Sequence, residues 1–224
     1  MLTAQVVFSS VVQRVAVLSL HTSPLAQPGS GDSGGMNVYV RELSSALAQA
    51  GVECTTYTRR TSADQPDVVQ VEPGHRVVHL TAGALDLPKE ALPSVLDEFG
   101  DAVMQHMQQH APADVMHANY FLSGLVAHRI KHILDIPFVT TFHTLAKVKA
   151  EGGDHESEWR HDAEVDIIRC ADAICVSCTE EENQFRRLYG NPPGRMEIVA
   201  PGVEHAFFAP GERSGARNAL GLPL

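Results

Sequence analysis

Arg14–Ala50 reads RVAVLSLHTSPLAQPGSGDSGGMNVYVRELSSALAQA, and the order of patterns within it decides the fold class. Arg14–Leu20 is a short, nearly continuous apolar run, as expected of a strand buried on both faces. His21–Gly34 is a loop rich in Gly, Pro and Ser. From Gly35, Val40, Leu43, Leu47 and Ala50 recur at helical spacing, and Gly51 stops the helix. Strand, loop and helix in that order make the first unit of a doubly wound sheet.

The alternation continues along the chain. Strands are predicted at Glu53–Thr58, Arg76–Leu80, Asp114–Ala118, Pro137–Phe142, Ala173–Ser177 and Met196–Val199. Helices are predicted at Lys89–His110, Leu122–Leu134, Glu156–Cys170 and Thr179–Tyr189, the last opened by a capping box of Thr179 with Glu182. Seven strands separated by helices imply an α/β fold with a mostly parallel, doubly wound, Rossmann-like sheet. Ligands then gather beyond the carboxyl ends of the strands. The residues to watch are His21 with the Gly-rich loop, Arg59-Arg60, the stretch at Lys89, Asn119-Tyr120 and His143-Thr144.

Composition narrows the function. The 224 residues carry 17 Lys+Arg against 27 Asp+Glu, a net charge of −10, which argues against nucleic acid as a partner. No apolar run is long enough for a membrane span. The start lacks the basic region and cleavage site of a signal peptide. Three of the four cysteines crowd into Cys170–Cys178, which suits no disulfide framework, so a cytoplasmic location is expected.

Individual motifs are weaker. Gly29–Gly34 is a literal G-x-G-x-x-G, but it starts eight residues after Leu20, and Arg59-Arg60 stands where a dinucleotide fold wants an acid. An oxidoreductase reading would need Arg59-Arg60 to hold a 2′-phosphate. The loop suits better an anion at the amides of Gly34-Gly35, where the helix begins. Cys175-x-x-Cys178 ends a strand and reads as packing. His128 and His132 lie one helical turn apart and read as surface or core-edge, so no metal site and no cofactor are expected.

These residues also carry a resemblance. Val15–Val40, His117–Gly124, Phe142–Lys149, Glu156–Arg160 with Glu164, Thr179–Glu182, Leu188–Gly190 and Ala200–Val203 through Phe208–Gly211 resemble the N-terminal half of the retaining GT-B glycosyltransferases. The likeness is nearest to members that act on a phosphorylated inositol. It implies transfer from a nucleotide-sugar donor resembling UDP-GlcNAc to a phosphorylated polyol, or to a hexose phosphate as in sucrose-phosphate-synthase-like enzymes. A binding module that takes a phosphorylated ligand without turnover is the alternative from another class.

The resemblance implies roles for matched residues. Gln27, Pro28 and Gly35 approach the donor. His21, Asp32, Ser33, Gly34, Gly35, Met36, Asn37, Lys89, Tyr120, Thr144 and Arg160 surround the acceptor, and Lys89, Tyr120, Thr144 and Arg160 suit its phosphate. Arg160 is expected as a planar fork and Lys89 as a point charge. His143 lies against the transferred sugar as the catalytic position. The resemblance also implies a second, donor-binding domain, and this sequence stops about where that domain starts. Residues 1–13 are therefore expected as an extra leader, 14–209 as the acceptor-binding domain, and 210–224 as a linker and the start of a donor domain. Alone, the chain is expected to be inactive, with the donor domain supplied elsewhere or a homodimer formed.

Overall fold

The computed structural model describes residues 11–27, 29, 34–203, 208 and 210–223. The strands are β1 (Arg14–Leu18), β2 (Glu53–Arg59), β3 (Val68–Glu72), β4 (His75–Leu80), β5 (Val115–Asn119), β6 (Phe138–Thr141), β7 (Ala173–Val176) and β8 (Arg195–Ile198). The helices are α1 (Gly35–Gln49), α2 (Leu96–Gln109), α3 (Tyr120–Leu134), α4 (Ala146–Glu151), α5 (Glu158–Cys170), α6 (Thr179–Tyr189) and α7 (Arg213–Ala219).

The eight strands form one sheet in the order β3-β4-β2-β1-β5-β6-β7-β8. All neighbours are parallel except β3 with β4. The chain works outward from β1 through β2 to β4, then returns to β5 on the other side of β1. That reversal opens a crevice between the carboxyl ends of β1 and β5.

β1 explains why its sequence is continuously apolar. Val15 and Val17 pack with Val40 of α1 and Cys54, while Ala16 and Leu18 join the larger core on the opposite face. That larger core holds Phe99, Val103 and Met107 of α2, Leu122, Val126 and Ile130 of α3, and Ile167 of α5. Full burial of such side chains stabilises by about 1.5–3 kcal/mol each.

Three expectations needed correction. β3 is an eighth strand in a stretch that carries no strand prediction. It pairs antiparallel with β4 across the two-residue turn Pro73-Gly74, and Gly74 takes φ 83°, the positive value a Pro-Gly turn requires. The helix expected over Lys89–His110 is divided, with a 3-10 segment over Lys89–Val95 that contains Pro93 and a regular helix only from Leu96. Pro93 has no N–H to give a regular helix. The capping box at Thr179 is absent: Cys178 is the N-cap, and Glu181 reaches back instead, accepting hydrogen bonds from the Ser177 amide and hydroxyl at 2.6 Å. In the region expected as a linker, α7 forms with every residue at least partly exposed. Residues 1–10 of the expected leader lie outside the described residues.

α3 and α5 carry residues of the candidate site at their first turns, and their spacing rests on Gly124. A Cβ there would stand 2.7 Å from Ile167 Cδ1, on a side chain with no exposed surface. Gly124→Val is expected to lower unfolding stability by about 1–3 kcal/mol, the usual cost of overpacking. Urea unfolding checks this as a lower midpoint at unchanged slope. An unchanged midpoint would show that the two helices separate freely.

Candidate active site

Two residues at the carboxyl edge hold a backbone conformation that side chains disfavour. Tyr120, directly after β5, has φ 74°, and His143, two residues after β6, has φ 61°. Left-handed backbone at a residue other than glycine costs about 1–3 kcal/mol and persists where the surroundings enforce it. Asp135, at the end of α3, is the third such residue among those described.

Tyr120 is the centre of one cluster. Its ring lies 4.4 Å from that of His21 across the crevice between β1 and β5. Lys89 Nζ stands 5.9 Å from its centroid and the Arg160 guanidinium 5.2 Å. Around these side chains lies a cavity of about 490 Å³ that Lys149, Glu156 and Trp159 also line. Thr144 joins through Arg160, whose Nη2 donates to its carbonyl at 3.1 Å and its Oγ1 at 3.0 Å. Lys89, Tyr120 and Arg160, from three separate segments, therefore line one cavity, whereas Thr144 is bonded to Arg160 but lines the neighbouring cavity around His143.

Arg160 is not the open fork expected. Its Nε donates to Glu164 at 3.0 Å and its Nη1 to Glu156 at 2.6 Å, besides the two bonds to Thr144. Of five N–H donors only one, on Nη1, is not directed at these groups. Glu164 is wholly buried and accepts from the Ala146 amide at 3.0 Å and from the Tyr189 hydroxyl. Burial, reinforced by that carboxylate, pushes the Tyr189 pKa up. Glu156 also pairs with Lys149, which, followed by the Arg160 charge, holds its pKa below the usual carboxylate range.

His143 is the centre of a second cluster, in a cavity of about 420 Å³ bordered by Tyr39, Thr141, Cys178, Glu181 and Pro201. Its Nε2 lies 3.0 Å from Asn119 Oδ1, and the edge of the Tyr39 ring packs on it at 5.0 Å. Burial, followed by the charges of His117 and His21, pushes its pKa down to about 3. The ring is therefore neutral near pH 7, with Nε2–H donating to Asn119 and Nδ1 left as an acceptor. His117 lies next to it, bonded to Thr141 Oγ1 at 2.9 Å, and burial lowers its pKa to about 4.

The remaining expected residues divide. Asn37 is buried, donating to Thr22 Oγ1 at 2.6 Å and to the Ser23 carbonyl at 2.5 Å and accepting from the Gly34 amide at 3.3 Å. It ties the loop after β1 to the start of α1. Met36 packs on the small core, while Gly35 and Gln27 are exposed. Pro28, Asp32 and Ser33 lie outside the described residues. Arg59 donates to the carbonyls of Arg60, Ala84 and Leu85, and Arg60 to those of Gln65 and His79 and to Asp67. Both arginines hold loops together, which removes support from a 2′-phosphate reading. Lys149, one of the basic residues that keep a phosphate pocket open in an acidic chain, lines the Tyr120 cavity, and Glu156, Tyr39, Thr141 and Glu181 line the cavities without having been singled out. Thr141 and Glu181 follow the same rule, being at or just beyond a strand's carboxyl end.

The buried histidines set a pH dependence. The unfolded chain binds a proton at each below about pH 6.5, whereas the folded chain does not until about pH 4 at His117 and about pH 3 at His143. Their contribution to stability is present above pH 6.5 and is lost as pH falls toward those values. His117→Gln should shrink the stability lost between pH 7 and pH 5 by up to about 2 kcal/mol. Urea unfolding at the two pH values checks it. An undiminished loss would mean that His117 is already charged in the folded chain.

Comparison with known proteins places this geometry. Residues 34–202 match the family model described as Glycosyl transferase 4-like domain. The chain is 44% identical over 223 residues to D-inositol 3-phosphate glycosyltransferase of Kineococcus radiotolerans, covering 96% of this chain and 51% of that one. It is 42% identical over 223 residues to the enzyme of that name from Corynebacterium diphtheriae, covering 96% and 52%. It thus spans about half the length of the relatives it matches. Among solved structures, sucrose-phosphate synthase of Thermosynechococcus elongatus superimposes with a TM-score of 0.85 at 32% identity, over 94% of this chain and 53% of that one. Arabidopsis thaliana UGT89C1, complexed with UDP-L-rhamnose, shares the fold at 12% identity and a TM-score of 0.60, over 95% of this chain and 54% of that one. With a parallel sheet wound about β1 and β5, and three quarters of its length matched by the family model, the chain belongs to the glycosyl transferase 4-like domain family of GT-B glycosyltransferases.

Proposed function

We propose that this chain forms the acceptor side of a retaining sugar-transfer cleft, and that its acceptor is a phosphorylated polyol of the inositol phosphate kind. The observation that carries the reading is the convergence of Lys89, Tyr120 and Arg160 on one cavity at the carboxyl edge. Two cations and a phenol are all donors to a phosphate. The 44% identical relative, named for D-inositol 3-phosphate, supports the polyol. The 32% identical neighbour, named sucrose-phosphate synthase, supports a hexose phosphate as the second reading, with the same pocket and a different ring.

In this reading the phosphate anchors the acceptor so that a ring hydroxyl points toward His143. The neutral imidazole offers a hydrogen-bond acceptor and adds no charge beside the nucleotide-sugar that lies opposite. Holding two reactants in line can lower a barrier by about 7–11 kcal/mol, and the acceptor side positions one of the two.

The pocket is charge-balanced before any ligand arrives. Lys89, Lys149 and Arg160 face Glu90 and Glu156 around the cavity, with Glu164 beneath. A phosphate gains full strength only by taking over the donors that Glu156 holds. Glu156 is therefore an internal stand-in for the acceptor's phosphate, keeping Arg160 and Lys149 in place and yielding them on binding.

Calorimetry on the chain with inositol phosphate and with inositol tests the function. The phosphorylated polyol should bind and the plain one should not do so measurably. Lys89→Ala should weaken the former by roughly 10–150-fold, the worth of one hydrogen bond to a charged group. Equal affinity for both ligands would remove the phosphate from the account, and preference for a hexose phosphate would favour the second reading.

Glu156→Gln gives a separate expectation. Removing the competing charge should tighten binding of inositol phosphate by about tenfold, the low end for a charged hydrogen bond. Unchanged or weaker binding in the same titration would make Glu156 a fixed part of the wall.

A further inference from the structure

At the far ends of α3 and α5, away from the cleft, three side chains that bind metals crowd together. His128, His132 and Cys170 each offer a ligand atom, and these atoms all lie within 4.8 Å of one another. His132 Nε2 and Cys170 Sγ are 3.5 Å apart. The His128 and His132 rings, one turn apart on α3, are 4.8 Å apart at their centroids.

These distances suit a shared ion. With Zn–N of about 2.0–2.1 Å and Zn–S of about 2.3 Å, the tetrahedral edge between a nitrogen and a sulfur is about 3.6 Å, and between two nitrogens about 3.4 Å. The His132–Cys170 edge already has that length, and the widest separation, at most 4.8 Å, has to shorten by up to about 1.4 Å on binding. Two imidazoles and a thiol are the donor set of zinc or a similar borderline ion.

The backbone holds the sulfur in place. Lys131 Nζ donates to the Cys170 carbonyl at 2.8 Å and pairs with Asp172 at 2.7 Å, so its charge is balanced there. The Ala171 amide closes the last turn on the Ile167 carbonyl at 2.8 Å.

We propose that His128, His132 and Cys170 form a zinc-type site that clips the end of α3 to the end of α5, with water as the fourth ligand. On binding, the Cys170 thiol releases its proton to solvent and the histidines bind as neutral imidazoles. By helical rise, His132 is about 18 Å along α3 from Tyr120, and Cys170 about 15 Å along α5 from Arg160. The ion sits far from the acceptor pocket, on the two helices that build it, and its role is to fix their spacing.

Cobalt(II) reports the site directly, because thiolate and tetrahedral coordination each have an optical signature. Titrating the metal-stripped, reduced chain with cobalt(II) should give a sulfur-to-cobalt charge-transfer band saturating at one equivalent. Zinc should bleach it. Cys170→Ser should abolish the band, and Cys178→Ser, at the opposite edge of the sheet, should keep it. His128→Ala and His132→Ala should each weaken zinc competition by more than the roughly 10–100-fold that loss of an outer-shell partner costs. No band in the wild type, a band that survives Cys170→Ser, or one lost with Cys178→Ser would each overturn the proposal. Circular dichroism of each variant keeps a folding failure distinct from a lost ligand.

Discussion

The buried pair of Arg160 with Glu164 fixes the candidate site. The carboxylate shows no exposed surface and the guanidinium almost none, so neither can be left alone. Breaking such a pair typically costs about 3–5 kcal/mol, because the remaining charge stays buried without a partner. The pair therefore carries more than itself. Glu164 also receives the first amide of α4 and the hydroxyl at the end of α6, and Arg160 fastens Thr144 at the end of the loop after β6. Two segments distant in sequence, the β6–α4 connection and the end of α6, are tied to the first turns of α5. The guanidinium is then presented in one orientation, with the faces of Tyr120 and Phe121 at 5.2 and 4.9 Å.

A second constraint is the reversal of strand order about β1 and β5. It places the residues after these strands on facing sides of one crevice, and the His21–Tyr120 contact spans it. The left-handed backbone at Tyr120 and His143 follows from the same demand. Each must turn from strand toward helix while directing its side chain into the cleft. Their neighbours hold them there, with Asn119 bonded to His143 and Lys89 and Arg160 about the Tyr120 ring. Burial keeps both His117 and His143 uncharged, so positive charge at the edge is concentrated in the Tyr120 cluster.

Much of this was legible in the sequence, for physical reasons. The apolar run Arg14–Leu20 could only be a strand covered on both faces, and the rule that ligands gather at carboxyl ends pointed to His21, Tyr120, His143 and Thr144. β3 escaped because Val68, Val69 and Val71 lie between acids and form only a half-exposed edge, although Pro73-Gly74 announced its turn. The division of Lys89–His110 was marked by Pro93. The competing role of Glu156 was not legible. A carboxylate four residues before an arginine is ordinarily a helix-surface pair, and only the fold brings Lys149 to its other side. The same is true of Cys170, whose nearness to His132 depends on how α3 and α5 pack. The motif locates Asn37 at the helix start, but the bonds of its amide to Thr22 and Ser23 were not legible there.

In the proposed reading the carboxyl-edge pocket is a phosphate site whose donors are held beforehand by Glu156. A crystal structure of the chain with bound inositol phosphate tests it most directly. The phosphorus should lie among Lys89 Nζ, the Tyr120 hydroxyl and the Arg160 guanidinium, with Glu156 turned away and the Arg160–Glu164 bond intact. A phosphate bound elsewhere, or one bound there while Glu156 keeps its bonds to Arg160 and Lys149, would contradict it.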